Sequence, residues 1–342
     1  MPDKNNINPN EQEEKIDELF NEAKDGKIAK ELKRYKIINI LRTIAISAVV
    51  AIVTLLIAYF VIDSINFQYC QSKQWKKADE IQTYYEVAYP NRYIGVIHRY
   101  NNLFSAELEC ETYKNIGGRI VFAGLEKRLM GLFAIRAGSE WGGMVAQQPT
   151  DEDQNKDFKY RSSSVYGLRH LTFFYPYVNY DNSFNDLEML HEIGNDKIVE
   201  MAISFDREYS YKEISKLLPE QLVTFYWVDD KTKNDMKQIQ KWKDISKEND
   251  VNGIKLINEW GQRIDEPVKS FIIAMERLKN GDFGHNAYKD LYRRIAGHDG
   301  ELKEDDLRIM GAVLVGSPKE LTSLEGMSFI KHAALGTVVD KY

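Results

Sequence analysis

Residues 43–62, TIAISAVVAIVTLLIAYFVI, constrain this chain more than any other stretch. They are 20 residues without a charge, a proline or a glycine. As a helix rising about 1.5 Å per residue, the run reaches roughly 30 Å, the hydrocarbon thickness of a bilayer. A helix in a soluble core normally keeps a polar face, and this one shows none. A cleaved signal peptide fits poorly: 42 residues precede the run, it is too long, and no A-x-A site follows. The run predicts one transmembrane α-helix over residues 43–62.

Charge on either side predicts its orientation. Residues 27–42 hold Lys27, Lys30, Lys33, Arg34, Lys36 and Arg42 against the single acid Glu31. Residues 63–80 hold only Lys73, Lys76 and Lys77. The excess of basic residues puts the N-terminus inside. A single-pass cell-membrane protein follows, with a cytoplasmic segment at 1–42 and the 280 residues after Ile62 outside. Tyr59, Phe60, Phe67 and Tyr69 suit the outer interface, where amphipathic rings settle. Cys70 and Cys110, the only two cysteines, are too few for a disulfide scaffold and lack metal-ligand spacing. Outside the cell they could pair, or stay two small hydrophobes.

The outer part reads as a stalk and two domains. Residues 63–90 carry apolar residues near helical spacing up to Pro90. Residues 91–164 become strand-like, with YIGVIHRY, LFSAELE, GRIVFAG and MGLFAIRAG punctuated by glycines. This predicts a β-rich membrane-proximal domain that ends in the polar stretch at 148–164. A distal domain of mixed α+β or α/β type follows at 165–342.

Within it, S-x-K-E-[I/L]-x-x-L occurs twice, at Ser210 and Ser317, 107 residues apart. Each serine has a glutamate three residues on, Glu213 and Glu320, the spacing of a capping box that satisfies orphan N–H groups at a helix start. Pro318 suits the first helical position. Short apolar runs flank both boxes: IVEMAISF and LVTFYWV around the first, LRIMGAVLV and AALGTVV around the second. Each set predicts a βαβ-like unit, normally right-handed with parallel strands. Between the two units lies a helical insertion at 229–306. There Val268, Phe271, Ile272, Met275 and Leu278 share one face after Pro267, and residues 287–295 form a further short helix.

Catalytic signatures are scarce. The sequence has no G-x-x-x-x-G-K-[ST] loop and no G-x-S-x-G elbow. His191-Glu192 lacks the second histidine of a zinc helix, since Asn195 stands there. No pair of acids stands out as a general acid/base couple. The expectation is no catalytic residue, no metal and no cofactor. A net charge of −6 gives no reason to expect direct nucleic-acid binding, which usually leaves a basic patch. The aromatic run HLTFFYPYVNY at 170–180 suits either core packing or a groove for glycans or headgroups.

The inner segment splits by charge. Residues 1–26 carry net −5 and residues 27–42 net +5. The basic half suits anionic headgroups. In the acidic half Ile16, Leu19, Phe20 and Ala23 form an apolar strip at helical spacing, with Glu13, Asp17, Glu18 and Glu22 around it. A lone amphipathic helix of this length is marginal in water. Its apolar strip points to a docking partner, the alternative being a solvated tail.

Several pieces taken together resemble a known family. They are Gly167-Leu-Arg169, Phe174-Tyr-Pro176, Asn185-Asp-Leu187 and EMAISFD at 200–206. The tail adds GAVLVGSPKEL at 311–321, SFIK at 328–331 and Gly336, and KIINILRT at 36–43 leads into the apolar run. This set resembles the sigma factor regulator family of Gram-positive bacteria, with its N- and C-terminal modules. The resemblance implies a single-pass anti-sigma factor. Its short cytoplasmic segment would hold an extracytoplasmic-function sigma factor, in some members together with a second small membrane protein, while the outer domains report on the envelope.

Overall fold

The computed structural model describes residues 9–102, 105–131, 144–146, 161–181, 183–281 and 287–342. Side chains are described for all of these except residues 9, 11, 12, 19, 20, 22–25 and 144–146. The chain divides into two compact units, Met1–Ile65 and Asn66–Tyr342.

Helix α1 runs Pro9–Val87, and the proline at its first position loses no hydrogen bond there. In the first unit every side chain of residues 43–62 is exposed, including Ile44, Val53, Leu56 and Phe60. A soluble protein does not leave so long an apolar surface in water. This is a helix long and apolar enough to cross a membrane.

In the second unit α1 continues with one face covered. Asn66, Cys70, Gln74, Ala78, Ile81 and Tyr85 are buried at i, i+4 or i+3 spacing, the helical rows that share a face. Asn66 Nδ2 donates to the Asn102 carbonyl and Gln74 Nε2 to Asn101 Oδ1, both at 3.3 Å. The segment expected as a stalk is therefore packed against a sheet. That sheet is a three-stranded antiparallel meander of β1 (Arg92–Asn101), β2 (Ala106–Ile116) and β3 (Arg119–Met130). Two glycines with positive φ, Gly117 and Gly118 (58° and 86°), make the tight β2–β3 turn that side chains with a Cβ resist. Short strands β4 (Met144–Ala146) and β5 (Ser162–Ser164) pair with each other, as does β6 (Thr172–Phe173) with β9 (Ser246–Lys247).

The repeated motif builds the main sheet. After β7 (Lys197–Ser210) come α2 (Tyr211–Leu217) and β8 (Val223–Val228). Helix α3 (Lys233–Trp242), strand β10 (Gly253–Lys255), and helices α4 (Pro267–Asn280) and α5 (Ala287–Ile295) form the insertion. Strand β11 (Arg308–Gly316), helix α6 (Pro318–Leu321) and strand β12 (Ile330–Asp340) close the chain.

The strand order is β10-β8-β11-β7-β12, and every ladder is antiparallel. This corrects the expected pairing. Strands β7 and β8 do run parallel, as do β11 and β12, but each pair is split by a strand of the other repeat. The result is the split βαβ arrangement of ferredoxin-like sheets. Spanning an intervening strand moves each crossover across about two strand spacings, roughly 10 Å, which leaves room for a short helix above the sheet.

Both faces of this sheet are covered, so its strands read as continuous apolar runs rather than alternating ones. On one face Val199, Met201, Ile203, Leu314 and Leu335 join α4, α5 and the end of α1 in one core. On the other, Ala202, Phe225, Trp227 and Val313 meet Leu171, Phe173, Phe174, Tyr175 and Ile239. The aromatic run is therefore core: the Phe173 and Tyr175 rings lie 5.2 and 5.0 Å from Trp227, while Tyr177 stays exposed. The first core also takes in Leu108 and Cys110 of β2, so residues on both sides of the boundary expected at 164/165 pack together. Both cysteines are free and buried, and burial pushes the Cys110 thiol up to about 12.

Candidate functional site

The two serine boxes form at equivalent points, each where the first strand of its repeat ends. Ser210 Oγ accepts the Glu213 N–H at 3.3 Å, and Glu213 Oε2 accepts the Ser210 N–H at 2.9 Å. Ser317 Oγ accepts the Glu320 N–H at 3.4 Å, and Glu320 Oε2 accepts the Ser317 N–H at 2.8 Å. The serine hydroxyls also donate to the carboxylates, Ser210 Oγ to Glu213 Oε2 at 2.8 Å and Ser317 Oγ to Glu320 Oε2 at 2.6 Å. Both glutamates titrate below their ordinary value because hydrogen bonds to the charged form favour it, from the Ser210 N–H and then its hydroxyl for Glu213, and from the Ser317 hydroxyl and then its N–H for Glu320. A third box, Thr232 with Asp235, starts α3 and was not anticipated.

The eight residues of the acidic segment all lie on α1. Ile16, Glu13, Asp17 and Glu18 are exposed, while the side chains of Leu19, Phe20, Glu22 and Ala23 lie outside the described residues. Among the described residues, no group of three or more His, Cys, Asp or Glu could hold a metal ion.

Sequence reading missed a buried charge cluster that ties the two sheets to the end of α1. Lys114 of β2 is 1% exposed, Glu200 of β7 is 0% and Glu248 is 3%. Lys114 Nζ donates to Glu200 Oε2 at 2.9 Å and to Glu248 Oε2 at 2.7 Å. Glu200 also accepts from Asn91 Nδ2 at 2.8 Å and from the Thr337 N–H at 3.3 Å. Glu248 accepts the Leu171 N–H at 3.1 Å, and its other oxygen lies 3.1 Å from His170 Nδ1. Multiple hydrogen bonds of this kind are what a buried charge requires.

Local geometry prepares these partners. Asn91 sits just past α1 with φ 55°, a left-handed conformation that asparagine tolerates better than most residues. Its turn places the amide on Glu200 while its carbonyl accepts the Asn115 N–H at 2.9 Å. Gly336 of β12 lies so close that a Cβ there would come within 2.5 Å of Leu171 Cδ2 and 2.9 Å of Glu200 Oε2. Only glycine leaves the carboxylate its place.

Burial alone would favour neutral forms of these groups. For Lys114, burial works against the ammonium, but Glu200 and Glu248 outweigh it and raise its pKa. For Glu248, burial works against the carboxylate, but Lys114 and then His170 outweigh it and hold the pKa well below the usual range. One ammonium facing two carboxylates leaves net −1. The arrangement clamps secondary elements together, and its signal in the sequence was an acid, Glu200, inside the apolar run IVEMAISF.

A family model described as sigma factor regulator N-terminal matches residues 29–121. Another, described as sigma factor regulator C-terminal, matches residues 190–337. Together they span more than two thirds of the chain. The first takes in the basic run, the apolar helix and Lys114; the second takes in Glu200, Glu248 and both serine boxes. Residues 10–28 precede both matches. No curated protein and no solved structure matches the chain.

Proposed function

The chain belongs to the sigma factor regulator family, and from that premise we propose that it is a single-pass membrane anti-sigma factor without catalytic activity. It holds an extracytoplasmic-function sigma factor on the cytoplasmic side. Residues 63–342 lie outside and respond to the state of the envelope. The basic run at 27–42 sets this orientation by the positive-inside rule. A second small membrane protein is a candidate companion in holding the sigma factor.

The feature that carries the reading is the acidic sequence at the start of α1, whose apolar residues recur at helical spacing, ahead of the basic run and apolar span of a sigma factor regulator. Sigma factors bind DNA and so present basic surfaces, which an acidic helix complements. Glu13, Asp17, Glu18 and Glu22 steer the encounter, while Ile16, Leu19, Phe20 and Ala23 form the docking strip. An aromatic anchor usually supplies most of the affinity, so Phe20→Ala weakens binding by about 2 kcal/mol or more and Glu22→Ala by much less. The rival reading, an envelope-binding scaffold whose inner tail binds nothing specific, predicts no effect of either change.

The test is deletion of residues 10–26, read in two ways. Pull-down from membranes with mass spectrometry should lose the sigma factor, and transcription from its promoters should rise while the protein stays in the membrane. Unchanged sigma activity would move the docking site to the basic run at 27–36, which from residue 29 on falls in the region matched by the N-terminal family model, or to the companion protein. If pull-down of the intact chain recovers no sigma factor at all, the scaffold reading replaces this one.

A further inference from the structure

Beside the last turns of α1 lies a pocket of about 310 Å³, at the lower end of the range for small-molecule sites, about 300–1,000 Å³. Tyr93, Lys255 and Phe271 line it and are buried, and Ile94 adds apolar surface. Glu86 and Glu259 also line it but are exposed, so they stand at the rim.

Lys255 is only 6% exposed. Its Nζ donates to the Arg92 carbonyl at 2.5 Å and lies 4.2 Å from the centroid of the Tyr93 ring. An ammonium has three donors, and here one carbonyl and one ring face serve them. Among the described residues no carboxylate forms an ion pair with it. By contrast Lys114, equally buried, has two. Burial brings Lys255 down to about 7, with Glu86 and Glu259 only partly opposing that shift. A buried ammonium without a counter-ion is unfavourable, and an anion reaching the floor of the pocket would supply one. The rim sets a second condition. Its two carboxylates, of which Glu86 lies 3.9 Å from Arg277 Nη1, disfavour a simple anion and favour a ligand that carries a cationic group beside its anionic one.

We propose that this pocket binds a small amino-acid-type zwitterion, with its carboxylate on Lys255, its ammonium toward Glu86 and Glu259, and its side chain against Ile94 and Phe271. The assignment rests on the pocket alone and stands whether or not residues 10–26 hold a sigma factor.

The test is isothermal titration calorimetry on the full chain in detergent micelles. The probes are L-phenylalanine, D-phenylalanine and L-leucine, compared with 3-phenylpropionate and 2-phenylethylamine, each of which lacks one of the two charges. At least one amino acid should bind saturably, and both one-charge analogues should bind at least tenfold more weakly. Lys255→Met should weaken amino-acid binding at least tenfold. Because removing a buried lysine can disturb folding, Glu259→Gln at the exposed rim is the companion variant; it should weaken binding severalfold with unchanged thermal melting. No binding by any of the three amino acids, binding of 2-phenylethylamine as tight as that of phenylalanine, or unaltered binding in Glu259→Gln would each overturn the assignment.

Discussion

Replacing Lys114 with methionine tests the clamp between the two sheets. The substitution keeps most of the side chain's length and removes its charge. At 2.7–2.9 Å and an effective dielectric of about 20, each ion pair contributes roughly 6 kcal/mol of gross attraction. Desolvation of three buried ions offsets much of that, so the net worth of the intact cluster is small. Removing one partner is different, because it leaves Glu200 and Glu248 buried, charged and facing each other. The expected loss is about 3–5 kcal/mol, a large share of a typical stability of about 5–15 kcal/mol. For a unit spanning Asn66–Tyr342, with an unfolding entropy of about 2.1 cal/mol/K per residue, that lowers the melting temperature by roughly 5–9 °C.

Urea titration and thermal circular dichroism of the full chain in micelles read both quantities. The pH dependence gives a second, sharper check. In the parent, Glu248 titrates below its unfolded value, so its contribution is present above that value, about 4.3, and is lost as pH falls further. Lys114 titrates above its unfolded value, so its contribution is present below that value, about 10.4, and is lost as pH rises through the folded pKa. In Lys114→Met the abandoned carboxylates favour protonation, so the variant should gain stability relative to the parent on acidification. Adding Glu200→Gln and Glu248→Gln to it should recover part of the loss. A loss under about 1 kcal/mol, or an unchanged acid limb, would refute the view that this cluster holds the sheets together.

Three further outcomes follow from particular residues. Ser210→Ala and Ser317→Ala should each lower stability by about 0.5–2 kcal/mol in the same titration, and Ser→Asp should largely preserve it; Ser→Asp changes that abolish signalling at intact stability would give the serines another role. Leu56→Arg should impair insertion by about 2.5–3.5 kcal/mol, read as a falling membrane fraction, and reporter fusions after Tyr342 should be active only when exported. Gly253→Ala should cost about 1–3 kcal/mol by overpacking, because its Cβ would stand 1.9 Å from the Tyr226 carbonyl oxygen; an unchanged melting temperature would mean that β10 shifts freely along the sheet edge.

Features written in neighbouring residues were legible in the sequence. The apolar run at 43–62, the helix at 287–295, the face of α4 and both capping boxes each depend on spacings of a few positions, and such spacings are local physics. The family, too, could be read from scattered short motifs. Strand order could not. The repeats announced two β–helix–β units, but only the tertiary structure decided that each inserts a strand between those of the other, because local patterning gives a strand's faces and not its neighbours. The same limit hid the buried cluster. Lys114 lies 86 positions from Glu200 and 134 from Glu248, so nothing nearby in the chain marks them as partners. Lys255 and its pocket were hidden for the same reason. A buried charge is defined by what surrounds it in space, and that is settled only when distant segments pack.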